Sequence, residues 1–268
     1  MKHLNEYIKE SLLDVDDFDL DDAIKNDIKL FIKANYKGRC SISKNPDADG
    51  KYIVDCKGDL NSKRRCDSIT NGMFKFGKIG GSFHFEGTPN VTSLEGGPVE
   101  VGERCTYFDV GVEDLKWAPK KVNSFTCYSN NLISLKGCPE QVNYFQVCSP
   151  KLTTLQDSPK SVELYNCANC PSLTSLEGIP GDVKKLFCDA CTSLKSLKGC
   201  PEELKSLSID NCFQFYNMDI TKAHFPKKVG YILNGNCGWL GEDIAKVCDF
   251  NVCSHANNPL MKNGKWKG

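Results

Sequence analysis

The sequence predicts a β-rich solenoid: short parallel strands stacked turn upon turn, an extended convex side, and a cap at each end. Three observations carry this. A leucine recurs as Leu94, Leu115, Leu135, Leu155, Leu176 and Leu197, at intervals of 21, 20, 20, 21 and 21 residues. A period this short marks stacked repeats. Each leucine is followed four residues later by a proline: Pro98, Pro119, Pro139, Pro159, Pro180 and Pro201. Finally, Phe125, Phe145, Tyr165, Leu186 and Leu207 form one apolar row, and Cys127, Val147, Cys167, Cys188 and Ile209 a second. The offset of two residues between these rows is strand periodicity, so each repeat supplies one strand with both side chains inward.

Residues 1–36 read as a helical and acidic segment. Leu4, Ile8 and Leu12 share one helical face. The run Asp14–Asp22 holds six aspartates in nine residues and ends where it can cap a second helix, about 21–36, with Ile24, Ile28 and Phe31 on its apolar face. Residues 37–78 read as an N-terminal cap. Its 52–60 stretch alternates like a strand, and Phe74-Lys-Phe-Gly-Lys-Ile79 leads into the array.

Residues 79–210 are the solenoid. Val101, Val122, Val142, Val162, Val183 and Leu204 begin the strands, and Leu132, Leu152, Leu173 and Leu194 follow them. Gly96, Gly137, Gly178 and Gly199 stand two residues before the prolines, with Asp157 in the same column, which predicts left-handed backbone there. Trp117 departs from that rule. The return path is too short and too rich in Gly and Pro for a helix. Residues 211–268 read as a repeat remnant, Phe225–Leu233, then a cap helix in 241–250 and a polar, basic tail from 257.

The 34 basic and 34 acidic residues cancel, so no overall field draws the chain to nucleic acid or an anionic membrane. No apolar run is long enough to span a bilayer, and the N-terminus has no secretory pattern. Ten of the sixteen cysteines lie between Cys105 and Cys212, most at recurring positions. A reduced chain using thiols as small apolar side chains explains them.

Cys167-x-x-Cys170 and Cys188-x-x-Cys191 match a zinc-ribbon spacing. The repeat offers a competing account. Cys170, Cys191 and Cys212 fall every 21 residues, where the pattern L-x-x-L-x-L-x-x-N/C-x-L places Asn or Cys, and Asn130 fills the same column. Such side chains serve buried backbone groups at the turn. They are expected to be free thiols forming a structural ladder, with a break at Pro150 and no metal or other cofactor. Cys237, Cys248, Cys253 and His255 match no named metal spacing. His3, His84, His224 and His255 sit in no catalytic motif, so the chain is expected not to be an enzyme.

Alternation turns a second set of side chains outward onto the strand face, including Ser124, Thr126, Gln146 and Asp189. Phe108, Tyr128, Tyr144 and Phe187 are the expected anchors for a protein partner, since aromatics among small polar groups suit protein recognition.

Ser93-Leu-Glu-Gly-Gly-Pro98, Ser134-Leu-Lys-Gly-Cys-Pro139 and Ser175-Leu-Glu-Gly-Ile-Pro180 resemble the short leucine-rich-like repeats of tailed-bacteriophage proteins, F-x-C-x-x-N-x-L-T-S-L-E-G-x-P-x-x-V-G. The resemblance covers about 52–210. It departs in lacking Gly-Gly after most valines and in replacing ladder Asn by Cys. Bacterial effector repeats of the L-P-x type are more distant. Met1-Lys-His-Leu-Asn-Glu-Tyr-Ile-Lys-Glu-Ser11 resembles phage capsid-targeting peptides, which implies cleavage between Glu10 and Ser11.

The expectation is therefore a phage-encoded, non-catalytic binding module. Its partner is a host or phage protein, and its place the host cytoplasm or the capsid interior. Two alternatives remain at this point. One is a structural or cargo protein carried inside the virion. The other is a zinc protein or enzyme built on the cysteine clusters.

Overall fold

Inward rows of Val, Phe, Tyr, Leu and Cys build a β-solenoid, whose computed structural model describes residues 20–216, 218–255, 258–262 and 265–266, from 255 on by backbone alone. The first amphipathic segment, with Glu10 and Ser11, lies outside the described residues. The second is helix α1, Leu20–Asn35, with Ile28 buried and Ile24 and Phe31 packed against the core. The sequence places its ends within a residue.

The N-terminal cap follows. Strands β1 (Tyr36–Lys37), β2 (Cys40–Ile42), β3 (Tyr52–Cys56) and β4 (Leu60–Ser62) precede β5 (Phe74–Ile79), β6 (Phe83–Glu86) and β7 (Glu100–Val101). Strand β2 pairs antiparallel with β3, whereas β3 pairs parallel with β5 and β5 with β7. Parallel stacking thus begins at Tyr52. Phe74, Phe76, Phe83 and Phe85 are fully buried there, and Tyr36 packs edge-on to Phe76.

The main ladder continues through β8 (Arg104–Val110), β9 (Ser124–Ser129), β10 (Gln141–Cys148), β11 (Ser161–Asn166), β12 (Lys185–Phe187), β13 (Glu203–Ser208), β14 (Lys228–Leu233) and β15 (Asp249–His255), each parallel to its neighbour. Phe125 pairs with Phe145, Phe145 with Tyr165, Tyr165 with Leu186 and Leu186 with Leu207. These side chains are fully buried, as is the row from Cys127 to Ile209. Phe145 stacks on Phe125 with ring centres 5.8 Å apart and lies 5.2 Å from Tyr165. The recurrent leucines and valines are buried too.

The return side contains the predicted left-handed column. Gly96, Gly137, Gly178 and Gly199 have φ between 82° and 104°, and Asp157 has φ 62°. Trp117 adopts the same conformation at φ 71°, so it departs in residue type and not in backbone. His224, φ 56°, is a further member two residues before Pro226. At Gly178 an added Cβ would lie 2.4 Å from the Leu155 carbonyl oxygen, so the stacking distance as well as the φ excludes a side chain.

Three expectations are corrected. The C-terminal helix α2 spans only Gly241–Ile244, and the chain then forms β15, a further parallel strand, instead of extending the helix to 250. The polar, basic tail adds two strands: β16 (Asn258–Lys262) pairs antiparallel with β15, and β17 (Lys265–Trp266) antiparallel with β16. An antiparallel strand closes the last edge of the parallel stack against further pairing.

The cysteines are not uniformly reduced, because Cys40 and Cys56 form a disulfide between β2 and β3. Those two stand outside the repeats, while Cys170, Cys191 and Cys212 are free as expected.

The last correction concerns the ladder. Asn130 is exposed and takes no part in it. The 20-residue turns are one residue shorter after the strand, so the buried position falls on Ser129, whose Oγ donates to Val112 O at 2.7 Å. Ser149 does the same to Leu132 O at 2.8 Å, and Pro150 therefore makes no break. In the 21-residue turns the extra residue, Asn169, Ala190 or Asn211, is left-handed, and the following cysteine takes the ladder place.

Candidate functional site

Because side chains alternate, three outward rows cross the ladder. The middle row is His84, Thr106, Thr126, Gln146, Asn166, Phe187 and Ser208. Beside it on one side run Glu86, Phe108, Tyr128 and Cys148. On the other run Arg104, Ser124, Tyr144, Leu164 and Lys185.

The structure brings three of the four expected anchors together. Phe108 and Tyr128 rings meet at 5.2 Å. The Gln146 amide joins the two tyrosines: Tyr144 donates its hydroxyl to Gln146 Oε1 at 2.6 Å, and Gln146 Nε2 donates to Tyr128 Oη at 2.7 Å. Gln146 is the residue that residue-type reasoning undervalued. Its only signal was its place in the outward column between two tyrosines. Burial, with Tyr144 close by, pushes the Tyr128 phenol above its ordinary value, so it stays neutral and available to donate or accept. Phe108 remains 43% exposed, an apolar ring facing solvent with its shape fixed by a neighbour.

Phe187 does not join this cluster. It lies in the middle row two strands beyond Gln146, roughly 10 Å away at the spacing of parallel strands. Its surroundings are acidic. Asp189 accepts from Ser208 Oγ and from the Asp210 amide, the latter at 2.8 Å. Ser124 and Thr126, expected outward, are buried beneath the larger neighbours.

Next to the aromatic cluster the face dips into a polar hollow of about 640 Å³ lined by His84, Glu103, Arg104 and Asn123 among others. Ser82 Oγ donates to Glu103 Oε2 at 3.2 Å across its rim. Beyond Phe108, Arg65 pairs with Asp109 and donates to Gly87 O at 3.2 Å. An exposed ring, two hydrogen-bonded tyrosines and an adjacent polar hollow can seat a protein segment bearing one apolar side chain and polar neighbours.

The thiol ladder is separate. Cys170 Sγ lies 3.8 Å from Val147 O, Cys191 Sγ 3.3 Å from Cys167 O, and Cys212 Sγ 3.2 Å from Cys188 O. Burial pushes Cys127 up to about 12 and raises Cys170, Cys188 and Cys212 as well. Cys167 is raised first by its contact with Cys191, whose own value falls because Cys167 donates to it. The thiols whose values are raised, Cys191 excepted, are held protonated and are poor nucleophiles. Among the described residues no set of three or more His, Cys, Asp or Glu is arranged to hold a metal ion, which covers the pairs Cys167/Cys170 and Cys188/Cys191. No helix among the described residues is long and apolar enough to cross a membrane.

No protein-family model, curated protein or solved structure matches the chain.

Proposed function

We propose that the chain is a non-catalytic binding module that recognises a protein partner through the strand face over β8 to β10. The observation that carries this reading is the Phe108–Tyr128–Gln146–Tyr144 assembly. Two hydroxyls and an amide fix the orientation of rings that stand on regular strands, so little side-chain entropy remains to be lost on binding. Such rigid aromatic groups beside a polar hollow are what energetically dominant interface residues look like.

The phage-type repeats and N-terminus noted in the sequence place the partner search in infected bacteria. The tagged chain is used to capture proteins there, in parallel with Phe108→Ala/Tyr128→Ala and with Phe187→Ala. A partner held by the wild type and by Phe187→Ala but lost from the double variant supports the reading. Retention by all three overturns it. A second arm asks whether purified virions contain the chain and whether its N-terminus begins at Ser11.

A further inference from the structure

The cap carries a second site of a different kind. Helix α1 presents Lys25, Lys29 and Lys33 at four-residue spacing, which aligns them on one face. Opposite, the chain leading into and out of β2 contributes Lys37, Arg39 and Lys44. Between them lies a cleft of about 790 Å³, and Lys63 closes one side with its Nζ donating to Lys33 O at 2.5 Å. No carboxylate lines this cleft among the described residues. Lys25 has Asp21 at 4.0 Å, but Lys29, Lys33, Lys37, Arg39 and Lys44 have no ion-pair partner there. Like charges held this close repel, and they favour an anionic occupant.

The floor decides which anion. It is apolar, formed by half-buried Ile32 and Ile42. The one ring in the lining, Tyr36, is buried with its hydroxyl bound to Ile69 O at 2.7 Å, so no aromatic face is offered to a base. A basic rim over an aliphatic floor fits a peptide in which carboxylates alternate with apolar side chains. This chain contains such a peptide immediately before α1: Asp14-Val-Asp-Asp-Phe-Asp19.

We infer that the cleft is an acidic-peptide site and that its first occupant is the chain's own 14–19 segment. Reach permits it. Six extended residues span about 20 Å, and Leu20 to Lys33 is about 20 Å along the helix. Tethering supplies the segment at millimolar effective concentration, so any external acidic peptide must displace it. The Cys40–Cys56 disulfide anchors β2, which carries one wall of the cleft.

Zero-length carbodiimide coupling of the full chain at low ionic strength, followed by peptide mapping, tests this. Amide links from Asp14, Asp16 or Asp17 to Lys29, Lys33 or Lys37 are expected in the monomer. They should be unchanged on dilution and lost in about 1 M salt, where screening acts within about 3 Å. Links confined to Lys25, no links, or links found only in a dimer that fades on dilution each overturn the inference.

The full chain with Asp14, Asp16, Asp17 and Asp19 changed to Asn provides the second arm. It should bind a labelled synthetic peptide of residues 11–22 at least about tenfold more tightly than the wild type does. Lys29→Glu/Lys33→Glu/Lys37→Glu, all at exposed positions, should abolish that binding while leaving the circular dichroism unchanged. Equal binding by wild type and Asn variant, or tighter binding of single-stranded DNA than of the peptide, overturns it.

Discussion

The 20-residue turns around Ser129 and Ser149 and the 21-residue turns around Cys170, Cys191 and Cys212 solve one problem with different chemistry. Each must place a donor against a buried carbonyl of the preceding turn. The shorter turns do it with a hydroxyl at 2.7 to 2.8 Å, the longer ones with a thiol at 3.2 to 3.8 Å, reached by adding a left-handed residue. The shorter turns also carry the aromatic cluster, on strands of six and eight residues, while β11, β12 and β13 of the longer turns have six, three and six. Hydroxyl donors close the turns of the first region. Apolar thiols filling the interior hold the second.

The sharpest way to break this comparison is in the shared core. Phe145→Ala removes a ring packed between Phe125 and Tyr165 and should cost about 3–5 kcal/mol. Because each turn stacks only on its neighbours, the loss should lower one cooperative denaturant transition. Two separated transitions would show that the two regions fold independently.

The thiols predict a pH effect that separates the regions. Below pH 9 the buried thiols whose values are raised, which leaves out Cys191, are protonated in both folded and unfolded chain, and their contribution is fully present. Above it the unfolded thiols ionise while Cys127 waits until about 12, so the unfolded state binds fewer protons and stability falls. Each such thiol contributes a slope of about 1.4 kcal/mol per pH unit in that window. The longer turns hold more of these groups, and alkaline proteolysis should therefore cut residues 167–212 before 104–148. Initial cleavage in the earlier turns would contradict this.

Next in size is the ladder itself. Ser149→Ala leaves Leu132 O without its hydroxyl and should cost about 1–3 kcal/mol. Cys212→Ser offers a hydroxyl to the same carbonyl as the thiol did, so its loss should be about 1 kcal/mol or less. Denaturant midpoints of the two variants give the ratio directly. A larger loss at Cys212 would mean that packing volume, and not the donor, is what the thiol supplies.

The sequence made the periodic parts legible because burial leaves a mark at every turn: Phe125, Cys127, Leu132 and Val122 each repeat as a column. Column position after a one-residue length change leaves none, which is why Asn130 looked like a ladder residue and Ser129 did not. Residue type could name Phe108, Tyr128 and Tyr144. It could not say that Gln146 ties two of them together and that Phe187 stands apart, since that depends on register across strands. The basic cleft was invisible for a related reason: its lysines alternate with other residues along α1, while Arg39 and Lys44 come from separate segments.

The smallest expected effect lies in the left-handed column, where Trp117 stands among glycines. A non-glycine residue at φ 71° is strained by roughly 1–2 kcal/mol, and with 62% of Trp117 exposed it recovers little by packing. Trp117→Gly removes that strain but loosens the unfolded chain, which offsets about 0.4–1 kcal/mol. The net should be between zero and about 1 kcal/mol of stabilisation, read as a slightly higher midpoint. The contrast is Gly178→Ala, where the added Cβ meets the Leu155 carbonyl at 2.4 Å and the same column must lose stability. If Trp117→Gly instead destabilised the chain as much as Gly178→Ala, the indole would have to be packing against the return side beside Val99, and the two kinds of turn would be held together from outside as well as within.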